Sequence, residues 1–140
     1  MDDHLPLTLG GFMRVDTQWL EAQKADRLAA CRRVSESRIV LVRQHLLPSL
    51  RAAFPVRTFW LFGSTARRTA GEDSDLDLLL ICEETGERWM DRQARAIRVC
   101  QETLLPFACD AVVWTVSEWR HAQASGNGLW AAILADGERL

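Results

Sequence analysis

Three short runs of β-branched, aromatic and aliphatic residues constrain the fold most strongly, because each predicts a strand. They are VRTFWLF at 56–62, DLDLLLI at 75–81 and CDAVVWTV at 109–116. The second run is apolar at consecutive positions, which is typical of a strand buried on both faces. Helical patterns precede, separate and follow these runs. The resulting order of helix, strand, helix, strand, helix, strand, helix predicts a sheet with helices packed on it.

The helical patterns divide the chain into parts of a single domain. Residues 1–15 show no clear period and are expected to form an irregular lead-in. An N-terminal helical region follows at 16–54, with Asp16 or Thr17 as its cap and a kink or division at Pro48. The strands belong to a core at 55–116, and residues 117–140 hold the C-terminal helices.

The remaining helices can also be placed from their patterns. A long helix is expected over 87–105, capped by Thr85. Its predicted apolar stripe consists of Met90, Ala94, Ile97, Cys100 or Gln101, and Leu104. Ser117 is expected to cap a short helix that ends at Gln123, and a last helix is expected over 129–134.

Bulk composition excludes several classes of protein. A chain of 140 residues suggests one domain with a modest core. Its net charge of −2 argues against a protein that mainly grips nucleic-acid backbone, so direct nucleic-acid binding is not expected. No signal peptide or membrane span is visible. The four cysteines have no metal-ligand spacing, and we expect reduced thiols in a cytoplasmic protein.

Asp75 and Asp77 stand at the head of the second predicted strand. Side chains alternate along a strand, so both should point to one face, about 7 Å apart. Carboxylates held that close repel one another unless a cation lies between them. Mg²⁺ suits such a pair, and two ions about 4 Å apart can clamp a phosphoryl or nucleotidyl displacement. Asp110, at the start of the third strand, would complete the site if the second and third strands are neighbours.

Gly63 and Ser64 lie at the turn from the first strand into a short helical turn. Glycine lets a backbone approach an anion, and the following N–H groups and serine hydroxyl can bind phosphate. Arg67 could add positive charge. Each feature alone also has a structural explanation: a plain turn, a turn cap at Asp75, or an exposed strand-edge carboxylate at Asp110. Their combination in one order and spacing favours function.

The stretch GSTARRTAGEDSDLDLLL resembles the signature of the minimal nucleotidyltransferases of the DNA polymerase β-like superfamily. That signature is Gly-Ser, a small Ala-Arg-Gly stretch, then Ser-Asp-x-Asp-Leu. The matching positions are Gly63, Ser64, Ala66, Arg67, Ser74, Asp75, Asp77 and Leu78. The resemblance extends from the helix before Pro55 to the third strand, and more weakly to the LWAAILADGERL tail, about two thirds of the chain. Arg68 departs from the pattern, because the family usually has glycine there.

The resemblance implies an α+β nucleotidyltransferase fold with α/β-type layering, in which helices flank a small mixed sheet. It also implies Mg²⁺-dependent transfer of a nucleoside monophosphate from an NTP to a hydroxyl. Metal binding and catalysis fall to Asp75, Asp77 and Asp110, with two Mg²⁺ ions expected. Nucleotide binding falls to Gly63, Ser64, Arg67 and Ser74.

Arginine and tryptophan patterns are compatible with interfaces but favour simpler explanations. One arginine row lies on the long helix and a second cluster in the N-terminal region: Arg88, Arg92, Arg95 and Arg98, and Arg27, Arg32, Arg33, Arg38 and Arg43. Both are expected to be solvated faces, with docking of an acidic partner as the alternative. The tryptophans of the predicted strands, Trp60 and Trp114, should be core. Core packing is also favoured over an interface or base-stacking role for Trp19, Trp89, Trp119 and Trp130.

The short chain favours a stand-alone catalytic domain over a polymerase or tRNA-modifying enzyme, which need added domains. Many minimal nucleotidyltransferases that this chain resembles are paired with a small helical HEPN protein. The leading hypothesis is therefore an ATP-dependent adenylyltransferase that modifies a HEPN-type toxin, as the antitoxin of a toxin–antitoxin pair. A non-catalytic partner-binding module is one alternative, and transfer to a small-molecule hydroxyl such as an antibiotic is another. Homo- or hetero-oligomerisation stays open.

Overall fold

The computed structural model describes residues 7–9, 12–14 and 16–140, with side chains from residue 16 onward. The helices are α1 (Thr17–Leu41), α2 (Leu47–Ala53), α3 (Gly63–Ala66), α4 (Trp89–Thr103), α5 (Val116–Ser125) and α6 (Gly128–Asp136). The strands are β1 (Leu7–Leu9), β2 (Phe12–Arg14), β3 (Val56–Phe62), β4 (Leu76–Cys82), β5 (Cys109–Thr115) and β6 (Glu138–Arg139). The three strands predicted from sequence correspond to β3, β4 and β5 within one residue at each end.

The main sheet is mixed, with the strand order β5-β4-β3-β6. β4 and β5 are parallel, whereas β3 runs antiparallel to both β4 and β6. The sheet and its flanking helices confirm the α+β nucleotidyltransferase fold. β6 was not predicted, since two residues carry too little pattern to be recognised as a strand.

Two cores cover the two faces of this sheet. The main core includes Phe59, Leu61, Leu78 and Leu80, packed against α2, α4 and the C-terminal part of α1. The second core lies on the opposite face, where Leu79 and Ile81 of β4 meet α5 and α6. Alternation along β4 assigns Asp77 to this second face. The sheet therefore holds the aspartate in place through a strand that is buried on both sides.

Aromatic packing dominates the second core. The Trp119 ring lies 6.2 Å from that of Trp114 and 5.1 Å from that of Trp130, the latter edge to face. Trp60 packs against the same cluster. Core packing is thus confirmed for these four tryptophans, while Trp19 and Trp89 remain about half exposed.

The N-terminal helical region begins and divides as the sequence indicates. Asp16 caps α1 by accepting a hydrogen bond from the Gln18 amide at 2.9 Å. A π-helical turn at Val42–Leu46 joins α1 to α2, and Pro48 lies in the first turn of α2. Proline has no N–H to donate, and the first turn is where that loss costs least.

The predicted apolar stripe of α4 is wrong. Met90, Ile97 and Leu104 are 74%, 49% and 85% exposed, whereas Arg92 and Ala96 are buried. The buried face of α4 is partly polar, because Arg92 pairs there with Glu118 of α5 at 2.5 Å. Cys100, a member of the predicted stripe, packs against the main core beside Ala96 and Val99. Hydropathy periodicity cannot register a buried arginine that is satisfied by an ion pair.

Two helix caps and the lead-in also differ from expectation. α4 begins after Arg88 without a side-chain cap, so Thr85 does not cap it. α5 is capped by Thr115, rather than by the predicted Ser117, in a reciprocal capping box with Glu118. β1 and β2 pair antiparallel where irregular structure was expected, and the rest of residues 1–15 lies outside the described residues.

Candidate functional site

Two of the three aspartates predicted from sequence are neighbours at one end of the sheet, and the third lies just before β4. Asp77 and Asp110 are register partners on the parallel strands β4 and β5. Adjacent strands lie about 4.8 Å apart, so the two backbones are immediate neighbours. Asp75 directly precedes β4 rather than opening it, and it is exposed. The strand order that brings Asp110 beside Asp77 is thus the one that the predicted site requires.

The carboxyl of Asp77 is held in an unfavourable environment. Burial raises its pKa, and the charges of Asp110 and Asp75 raise it further, whereas Arg67 opposes the effect. A half-buried carboxylate between two like charges is a group that a bound cation would stabilise. Within residues 16–140 no three side chains of the metal-binding types come close enough together to form a complete metal site. Substrate oxygens or water would have to complete any coordination shell.

Gly63 lies directly beside this carboxylate. Its φ is +73°, a left-handed conformation that favours glycine. A Cβ atom at this position would lie 2.3 Å from Asp77 Oδ2. Gly63 is therefore required both by its backbone angle and by the space that Asp77 occupies.

The other predicted nucleotide-binding residues lie in the segment between β3 and β4. Ser64 is in the short α3 turn, and no hydrogen bond joins its hydroxyl to another group of residues 16–140. Arg67 is exposed and donates to Asp136 of α6 at 3.2 Å. The Ser74 hydroxyl accepts a hydrogen bond from the Gly71 amide at 3.0 Å, which closes the loop before Asp75.

Residues 43–124, more than half of the chain, match the family model of the nucleotidyltransferase domain. The chain belongs to the nucleotidyltransferase domain family. The matched range contains β3, α3, β4, α4 and β5, and hence all seven residues predicted for the site. No curated protein is similar enough to this chain to count as a relative. Within the described part of the chain, no helix is both long and apolar enough to cross a bilayer.

Arg68 occupies the position where the nucleotidyltransferase signature usually has glycine. Its φ is +63°, so the backbone adopts the left-handed conformation that a glycine would favour. The side chain donates to both carboxylate oxygens of Glu138 in β6, at 2.8 and 3.3 Å, and to the Ala66 carbonyl at 2.9 Å. This pairing lowers the pKa of the Glu138 carboxyl. The substitution is thus accommodated by a contact from the C-terminal strand, which stabilises a strained turn.

Sequence reasoning missed the residues of α1 that hold the loop before the aspartates. Arg38 is buried and donates to the Ser74 carbonyl at 2.5 Å and to the Glu72 carbonyl at 2.8 Å. The Ser35 hydroxyl accepts from the Ala70 amide at 3.2 Å. Nothing local distinguishes Arg38 from the other arginines of its predicted cluster. Only its position beside a buried stretch of the helix could have indicated a different role.

The arginine row of α4 differs from the expected solvated face. Arg92 is buried against Glu118, and Arg95 pairs with Glu87 while its guanidinium lies 4.0 Å from the Phe54 ring centroid. Arg88 and Arg98 are exposed. Half of the row therefore stabilises the fold and is not available to dock an acidic partner.

Proposed function

We propose that this nucleotidyltransferase domain is a Mg²⁺-dependent adenylyltransferase that moves AMP from ATP to a hydroxyl. The observation that carries the proposal is the register of Asp77 with Asp110, together with the approach of the Asp77 carboxylate to Gly63. The register and this approach bring Asp77 and Asp110 to the turn that carries Ser64, whose hydroxyl has no hydrogen-bond partner among residues 16–140. Carboxylates beside a phosphate-binding turn are the donor set that nucleotidyl transfer needs.

The donor chemistry of Mg²⁺ fits Asp75, Asp77 and Asp110, because all three are carboxylates. Burial and the two neighbouring carboxylates raise the pKa of Asp77, and a bound cation would relieve that repulsion. When bound, two ions would neutralise the charge of the triphosphate and of the leaving pyrophosphate. Gly63 and Ser64 would hold the triphosphate, with Arg67 near enough to the carboxylates to add positive charge. These assignments follow the family signature.

The proposed reaction makes one bond and breaks one. The acceptor oxygen attacks the α-phosphorus of ATP, the bond to the β-phosphate oxygen breaks, and pyrophosphate leaves with that electron pair. We assign Asp110 to take the proton of the attacking hydroxyl, because it is exposed and lies beside Asp77.

We infer that the acceptor is a hydroxyl of a partner protein, and that the pair is of the HEPN/MNT toxin–antitoxin type. Support comes from the family signature and from the exposed position of Asp75 and Asp110, which leaves room for a large acceptor. A contact-only antitoxin and transfer to a small molecule are the alternatives. The retained aspartates and the Gly63 turn favour catalysis over contact alone.

The decisive experiment incubates the purified protein with α-labelled ATP, Mg²⁺ and the product of any adjacent gene. The Asp75→Asn/Asp77→Asn variant is compared with Asp73→Asn, which changes an exposed carboxylate of the same loop. A labelled protein band that disappears only in the double variant supports transfer to protein. Labelling of a small molecule instead would support the second alternative. Protection by a variant that transfers no AMP would identify the contact-only module.

A further inference from the structure

A second concave site lies at the other end of the sheet, on the face covered by α5 and α6. It is a cavity of about 390 Å³. Three of its lining residues are arginines from separate elements: Arg57 of β3, Arg120 of α5 and Arg139 of β6. Its volume falls within the range of small-molecule pockets.

The fold brings these arginines together through the sheet register. Arg139 is the register partner of Trp60, which places it on the face of the second core. Arg57 lies at the start of β3, and Arg120 follows Trp119, whose ring packs into that core. Strand pairing thus places Arg139 at this cavity and helix packing places Arg120 there, while Arg57 lies at an irregularity in the pairing of β3 with β4.

The charges of this cluster are poorly compensated. No Asp or Glu is among the lining residues. Arg57 pairs with Glu83 at 3.3 Å, with both side chains more than half exposed. Arg120 and Arg139 have no ion pair or hydrogen bond from their side chains within residues 16–140. Three positive charges with a single, exposed counter-ion repel one another, and an anionic ligand would remove that repulsion.

We propose that this cavity binds a small phosphorylated molecule that carries two or more negative charges. Guanidinium groups match phosphate oxygens with paired N–H donors, and three of them suit a dianion or a polyphosphate better than a single carboxylate. Thr58 and Gln123 line the same cavity and add neutral hydrogen-bonding groups. The Trp119 side chain supplies an apolar wall.

This site is separate from the nucleotide site. Ile81, which lines the cavity, is four residues along β4 from Asp77, so the two positions are about 13 Å apart. The second core lies between them on that face. The proposal does not depend on the proposed adenylyl transfer, and either can fail without the other.

Isothermal titration with pyrophosphate in the presence of EDTA tests the proposal, because removing divalent metal suppresses binding at the aspartates. The wild-type protein is expected to bind one pyrophosphate, and the affinity of Arg120→Gln/Arg139→Gln should fall about tenfold or more. Arg98→Gln, an exposed arginine of α4, and Arg67→Gln, at the nucleotide turn, should leave the affinity unchanged. Thermal unfolding of each variant checks that it is folded.

Two outcomes would overturn the proposal. One is the absence of saturable binding to the wild-type protein at millimolar pyrophosphate. The other is a loss of affinity in Arg67→Gln with none in Arg120→Gln/Arg139→Gln, which would place the ion at the nucleotide turn. If the arginine dependence holds, ADP and AMP titrated in the same way distinguish a nucleotide from a simple polyphosphate, since only the former gains affinity from its base.

Discussion

Replacing Gly63 with alanine should damage the site and the fold together. The added Cβ would lie 2.3 Å from Asp77 Oδ2, well inside van der Waals contact, and the φ of +73° is unfavourable for any residue with a Cβ. The turn cannot easily relax, since Gly63 follows directly on β3, which is paired with β4 at Asp77 itself. The Asp77 carboxylate must therefore move.

The cost can be worked out from these two effects. The left-handed backbone contributes about 1–2 kcal/mol, and overpacking against a strand contributes about 1–3 kcal/mol. For a chain of this size, each kcal/mol lowers Tm by about 3–4 °C. Gly126 supplies a control for the first effect alone, because its φ is +68° and a Cβ added there would have no atom within 4 Å. Gly86, with open space and no left-handed φ, supplies the neutral control.

Thermal and urea unfolding of the three Gly→Ala variants separate the effects, and Mg-ATP titration reports on the site. We expect Gly86→Ala to match the wild type, Gly126→Ala to lose only the backbone contribution, and Gly63→Ala to lose more than Gly126→Ala. Only Gly63→Ala should weaken Mg-ATP binding, because only there is an assigned metal ligand displaced. Equal stability losses for Gly63→Ala and Gly126→Ala, with nucleotide binding intact, would refute the argument that Asp77 fills the space above the glycine.

Three further predictions concern the groups around the turn. In EDTA, Asp77→Asn should have a higher Tm than the wild type at pH 7, because the raised pKa of Asp77 means that stability falls as pH rises through its folded value; the difference should vanish below about pH 4. Arg38→Met should cost about 2 kcal/mol in urea unfolding and speed amide exchange in loop 70–75, whereas the exposed Arg33→Met should do neither. Arg68→Gly should change stability by less than about 1 kcal/mol, since relief of backbone strain offsets the lost ion pair. Glu138→Gln loses the ion pair without that relief of strain. Urea unfolding that finds Glu138→Gln more stable than Arg68→Gly would contradict this account.

The parts of the site that sequence predicts are those encoded over short distances. One short segment, from the end of β3 to the start of β4, contains Gly63, Ser64, Asp75 and Asp77. Local pattern and signature spacing are enough to place these residues. The pairing of Asp77 with Asp110 was harder to predict, because it depends on the order of strands in the sheet. The structure resolves it through the parallel register of β4 and β5.

The failures share a physical cause. Most of the apolar stripe predicted for α4 is exposed, because the buried face combines polar bonds of Arg92 and Gln93 with apolar packing of Ala96, Val99 and Cys100. Gln93 bonds to both the Ala111 carbonyl and the Val113 amide of β5. Hydrophobic periodicity counts apolar residues only, so it cannot predict that an arginine is buried by forming an ion pair. β6 was not predicted for a related reason. Its contribution is the bond of Glu138 to Arg68, which lies 70 positions earlier and leaves no local pattern.

The segment between β3 and β4 is stabilised by contacts from outside the range that matches the family. Arg38 and Ser35 of α1 hold the loop before Asp75, and both precede residue 43, where the match begins. Glu138 secures the turn at Arg68, and it follows residue 124, where the match ends. The matched core therefore supplies the chemical groups, while the flanking helix and strand determine the loop geometry in which those groups are presented. A position where this chain departs from the signature, as at Arg68, should be judged together with the flanking residue that compensates for it.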